Sequence, residues 1–198
     1  MTINKDNFLN SILESFDRIQ HIKVEDIPNI DLYMDQVTTF MEEKLKKSVR
    51  NPNEDKILTK TMINNYAKNN LLPPPVKKKY SKEHVILLIF IYYYKGVLSI
   101  HDIQMLLNPL TERFFAGEEM DLGSIYTEIF GLEEEHVGRL KEDVVRMFQE
   151  SQTTFTDREG EEQQFLQYFS FICMLSFDVY VKKLLIEKII DEFKEIKD

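Results

Sequence analysis

The chain has 198 residues, with 25 Lys and Arg against 34 Asp and Glu, for a formal net charge of -9. Its 43% hydrophobic and 12% aromatic content exclude a disordered chain. One cysteine excludes a disulfide framework and a cysteine-based zinc site within one chain. Six Gly, six Pro and no Trp predict few turns and long helices. The charge is strongly partitioned. Lys44 to Lys82 holds eleven Lys or Arg and only Glu54 and Asp55 as acids, a net of +9. The remainder holds fourteen bases and thirty-two acids, or -18. A basic module inside an acidic protein points to an anionic partner, and a merely solvated face is the competing reading.

The N-terminus lacks the basic start and apolar run of a signal peptide. Asn4 to Gln20 carries Phe8, Ile12, Phe16 and Ile19 at helical spacing. Pro28 and Asn29 break the chain, and Asp31 is placed to cap a second helix bearing Leu32, Met34, Val37, Phe40, Met41 and Leu45. Ser48 to Lys56 reads as a loop. A third helix begins near Thr59, carries Met62, Ile63 and Tyr66, and stops at Asn70, a residue that tolerates the left-handed cap conformation. Pro73-Pro74-Pro75 then forces extended backbone through Lys77-Lys78-Lys79-Tyr80, with at most two short strands flanking this segment. Ser81 caps a helix from Lys82 to Lys95 that is apolar on nearly every side and therefore central. Ser99 caps a fifth helix with Ile100, Ile103, Leu106 and Leu107 in the core, closed by Asn108-Pro109.

Leu110 to Gly131 is mixed, Leu132 to Glu150 amphipathic, and Gln152 to Gly160 a polar break. Glu161 to Lys197 reads as a last long helix. Its apolar stretch, Phe165 to Ile190, is interrupted by Gln167, Asp178, Lys182 and Lys183, so it predicts a buried helix and no membrane span. A cytoplasmic protein is expected. Cys173 is expected to be an inert core residue. Glu133 and His136 have the Glu-x-x-His spacing of di-iron bundles, but such sites need two motifs and the chain has one. His21, His84 and His101 are isolated, and no Gly-rich phosphate loop or nucleophile elbow is present. No enzyme, metal or cofactor is predicted.

Three blocks resemble the MerR-type winged helix-turn-helix. Ile63, Tyr66, Leu71, Leu72 and Pro73 stand in the first. Tyr80, Ser81, Val85, Leu88 and Ile91 match the second, and Ser99, Ile100, Ile103, Leu106 and Leu107 the third. The segments Ile27 to Gln36 and Asn64 to Lys68 are also similar to a bacterial YkrK-like family, a domain of unknown function. The resemblance covers about Asp31 to Leu107, well under half the chain, and implies a winged helix-turn-helix there, assigned to residues 27–108; with the helical patterning on either side, an all-α chain is expected, with an N-terminal helix (1–26) before it and an acidic helical module (109–198) after it. The departures are Asn64-Asn65 where the MerR family has Arg-Tyr, Lys77-Lys78 where it has Tyr-Arg, a shorter wing, and a longer loop between the first two helices. The implied function is a transcriptional regulator on double-stranded DNA.

Thr59, Lys60, Thr61, Asn64, Asn65 and Lys68 supply polar groups for base edges, and Asn pairs bidentately with adenine. Lys77, Lys78 and Lys79 would bind phosphates and set register. Tyr66 and Tyr80 complete the candidate interface. A homodimer through the C-terminal helices would read two half-sites, with packing of those helices within one chain as the alternative. A protein-binding module built on the same scaffold, with no DNA contact, is the second functional reading.

Overall fold

The computed structural model describes residues 5–17, 21–51, 54–115 and 121–197, apart from the side chains of 6, 114, 115, 134 and 194–197. The described chain is mostly helical. In order it contains α1 (Lys5–Phe16), β1 (Leu32–Tyr33), α2 (Met34–Leu45), α3 (Lys60–Lys68), β2 (Lys79–Tyr80), α4 (Lys82–Tyr94), α5 (Ile100–Phe115), α6 (Leu122–Gly131), α7 (Glu133–Ser151) and α8 (Gly160–Lys197). Among the described residues, no helix is long and apolar enough to cross a membrane.

The chain forms two compact units, residues 1–19 with 132–186, and residues 20–131 with 187–198. These follow different lines from the division read in the sequence. The segment after Pro109 joins the basic region, and the N-terminal helix joins the acidic C-terminal part.

The larger unit is built around α4, whose residues His84 to Ile91 are all buried. Val37 and Met41 of α2, Ile63 of α3, and Ile103 and Leu107 of α5 share its core. Burying a side chain of this size contributes about 1.5–3 kcal/mol. Helix α6 belongs here because Tyr126 fills the core. Its ring lies 5.6 Å from Phe90 and 4.4 Å from Phe130, and its hydroxyl donates to the Ile22 carbonyl at 2.7 Å.

Two local expectations change in this unit. Asp31 does not cap α2. Tyr33 stands at the cap, and its N–H donates to Gln36 Oε1 at 2.9 Å, because Leu32 and Tyr33 are drawn into a strand. Pro109 does not end α5, which continues through it to Phe115. Proline removes one helical hydrogen bond, but buried Leu107 and half-buried Leu110 keep the helix packed on the core beyond it.

In the smaller unit α1 packs on α7, and Phe8 is the hub, 6.1 Å from Phe148 and 4.6 Å from Tyr168. Phe148 meets Phe171 edge-on at 5.4 Å. Buried Gln167 closes the α7–α8 turn, donating from Nε2 to the Gln152 carbonyl at 2.8 Å and the Thr154 carbonyl at 3.1 Å. Its Oε1 accepts from Lys5 Nζ at 3.0 Å. The expectation that Phe165 to Ile190 forms a buried helix is overturned. Phe165, Phe169, Ile172, Phe177, Val179 and Tyr180 are exposed. Cys173 is exposed as well, so it is not a core residue. Ile19, assigned to the first helix, lies outside the described residues.

Candidate nucleic-acid interface

The basic window folds into a short, firmly ended helix and a tight hairpin. Thr59 starts α3, its hydroxyl accepting the Met62 N–H at 3.1 Å. The far end is closed by paired bonds, Leu71 N–H to the Tyr66 carbonyl at 2.8 Å and Asn70 N–H to the Ala67 carbonyl at 3.2 Å. This pairing requires a left-handed residue at Asn70, which has φ +53. Gln104 of α5 adds a bond to the Asn69 carbonyl at 3.2 Å.

Helical spacing then sorts the side chains of α3. Ile63 and Tyr66 face inward and are buried, while Lys60, Thr61, Asn64, Asn65 and Lys68 are exposed. Met62, grouped with the anchors in the sequence, lies outside the buried set at 36% exposure.

Tyr66 and Tyr80 are corrections to the candidate contacts. Both are buried, and burial raises the pKa of each hydroxyl. Their rings anchor the elements that carry the exposed residues. Lys60 is tied to Asp35 of α2 by an ion pair. Thr59 is half-buried, with its oxygen engaged in the cap. The exposed polar set without such a tie is Thr61, Asn64, Asn65 and Lys68.

The hairpin follows directly. Val76 and Lys79 exchange N–H to carbonyl bonds at 3.0 and 2.9 Å, leaving Lys77 and Lys78 as a two-residue loop. Both loop residues have positive φ, +49 and +65. This is the form of hairpin turn usually given to Asn-Gly, because its twist matches that of the strands. Lysine in the left-handed region is uncommon and strained. Lys77 and Lys78 are exposed at the tip, and Lys79 is half-buried with its Nζ 5.3 Å from the centre of the Tyr33 ring.

β1 pairs antiparallel with β2, Leu32 opposite Tyr80 and Tyr33 opposite Lys79. The hairpin is thereby stitched to the start of α2, and α2 packs against both α3 and β2. No sequence signal pointed to β1. Its two residues carry no alternation, and their partner lies far along the chain.

His84 braces the base of the hairpin. Its Nδ1 accepts the Ser81 N–H at 3.1 Å, completing a capping box at the start of α4. The ring also lies beside the backbone of Pro74 and Pro73, so the proline segment runs against the start of α4. Burial is the largest influence on its pKa, which is lowered. Lys95 braces the segment before α3. Its Nζ donates to the Ile57 carbonyl at 2.7 Å and lies 4.9 Å from the centre of the Tyr92 ring, and burial lowers its pKa. Sequence reading did not single out either brace.

Among the described residues, no group of three or more His, Cys, Asp or Glu side chains is arranged to hold a metal ion. No match is found among curated proteins or among solved structures. The MerR-type and YkrK-like likenesses gain no support from these comparisons. Residues 22–129 match a family model described as a domain of unknown function, DUF1836, and that span nearly coincides with the first segment of the larger compact unit, residues 20–131. The match covers more than half of the chain, which therefore belongs to the DUF1836 family.

Proposed function

We propose that the protein is a DNA-binding transcriptional regulator in which α3 reads base edges and the Lys77-Lys78 hairpin tip acts as a short wing on the backbone. The observation that carries this reading is the exposed set Asn64, Asn65 and Lys68 on a helix capped at both ends, followed within ten residues by two exposed lysines at a hairpin tip. The order strand, helix, helix, hairpin, helix is that of a winged helix-turn-helix, with the unusual feature of a long connector between α2 and α3. Asn64 and Asn65 have the donor and acceptor pair that matches adenine in the major groove. Lys68, Lys77 and Lys78 neutralise phosphates, while the acidic remainder of the chain repels DNA elsewhere and orients docking. On this reading the chain is a binding protein of the bacterial cytoplasm rather than an enzyme.

The test is fluorescence anisotropy with labelled genomic duplex fragments over a salt series. Binding at low salt that falls steeply with added salt, and weakens in Lys77→Ala/Lys78→Ala, supports the reading. Absence of binding at low salt, or binding indifferent to the double substitution, rejects it. A second reading, a protein-binding module, is favoured by the exposed apolar side chains of Ile30, Tyr33 and Val76 around the same hairpin. It predicts no anisotropy change with DNA and a protein partner whose binding is lost in Val76→Asp.

A further inference from the structure

We infer that the exposed apolar stripe of α8 between Glu161 and Lys183 is a self-association surface, which a second copy of the chain covers with its own α8 running antiparallel. The inference is independent of DNA binding. Phe165, Phe169, Ile172, Ser176, Val179 and Lys183 follow one another at alternating steps of four and three residues. That is the spacing of a coiled-coil seam, in which two helices supercoil to keep one stripe in contact. Its apolar members are far from buried, with Phe165 66%, Phe169 53%, Ile172 58% and Val179 61% exposed, and Tyr180 beside them at 57%. The buried residues Gln167 and Phe171 lie on another side of the helix and serve the chain's own core. The stripe is thus additional to the packing already satisfied.

The area fits a second helix. The exposed parts of these five side chains and neighbouring Leu184 amount to roughly 600 Å², so two copies would bury about 1,200 Å², the lower bound of a stable interface. Charge sets the direction. Glu161 and Glu162 open the stripe and Lys182 and Lys183 close it, three heptads later; Glu162 pairs with Arg158 and Lys182 with Asp178 within the chain, and with those partners counted the opening end (157–162) nets -3 and the closing end (178–183) +1. A two-fold axis through the middle brings the acidic end of each helix to the basic end of its partner. A parallel pair would set like charge beside like charge, which is unfavourable. The arrangement is isologous, so one patch complements itself and closes the assembly at two. Lys183, in the seam, would fix the register against slippage, as a single polar seam residue does. The axis falls close to Cys173.

The experiment is sedimentation velocity on the full chain across a concentration series, without DNA. The expected species has twice the mass of the chain. Phe169→Asp should weaken the dimer at least 100-fold while circular dichroism shows unchanged helix content, since this side chain is half-exposed within one copy. Glu161→Lys/Glu162→Lys and Lys182→Glu/Lys183→Glu should each weaken it about tenfold, and their combination should restore it. A monomer at every concentration overturns the inference, as does a dimer indifferent to Phe169→Asp. Charge exchanges that strengthen the dimer singly would overturn the antiparallel arrangement.

Discussion

Stability and the proposed phosphate contact make opposite demands on Lys77 and Lys78, so exchanging them for Asn-Gly should separate the two. In a left-handed conformation an L-residue with a Cβ is strained by roughly 1–2 kcal/mol. Both lysines occupy it, at φ +49 and +65. Asn relieves part of that strain and Gly all of it. The extra freedom of Gly in the unfolded chain gives back about 0.5–1 kcal/mol. The net expectation for Lys77→Asn/Lys78→Gly is a gain of about 1 kcal/mol, or about 2–4 °C in Tm for a chain of this size. The two lost charges should act on DNA in the opposite direction. Each phosphate contact contributes about 0.9 to the slope of log affinity against log salt, so the slope should shrink by nearly 2. Differential scanning calorimetry reads the first quantity and anisotropy over a salt series the second. A lower Tm would refute the turn geometry. An unchanged salt slope would refute phosphate contact at the tip, whatever happens to stability. Lys77→Gln/Lys78→Gln is the control, removing charge without relieving the backbone, and should reduce the slope at unchanged Tm.

Asn64→Ala should remove discrimination at one base position, about 1–3 kcal/mol, with little effect on binding to unrelated sequence; selection from a random duplex pool measures it, and equal loss on all sequences would exclude base reading. Tyr126→Phe should cost about 1–3 kcal/mol in urea unfolding, because the Ile22 carbonyl loses the hydroxyl it accepts from. His84 is buried with its pKa held below the ordinary 6.5, so as pH falls the unfolded chain takes up the proton first. Its contribution should be complete above about pH 6.5 and decline below it, and His84→Gln, which keeps an acceptor for the Ser81 N–H, should flatten that part of the stability profile.

The parts of this fold that can be read from sequence are those decided within a few residues. Thr59 and Ser81 announce helix starts because each cap involves a residue only three positions on. Asn70 announces a stop because few other side chains accept the left-handed backbone found there. The candidate helix face is legible for the same reason, since helical spacing alone separates Ile63 and Tyr66 from Asn64, Asn65 and Lys68. What fails is decided at a distance. β1 exists only because Tyr80 and Lys79 come to lie beside Leu32 and Tyr33, and that pairing displaces the expected Asp31 cap. Pro109 breaks the local rule because core contacts on both sides of it outweigh one lost hydrogen bond.

The sharpest failure is α8. Its hydropathy states that Phe165, Phe169 and Ile172 need cover, and the assumption that one chain supplies all its own cover made the helix buried. Hydropathy measures the demand and is silent on the supplier. On the proposed dimer, the heptad phase and the opposed charges at its ends would carry the missing information, because the stripe would match itself in reverse. The partner would then be specified by the same sequence that leaves the face bare.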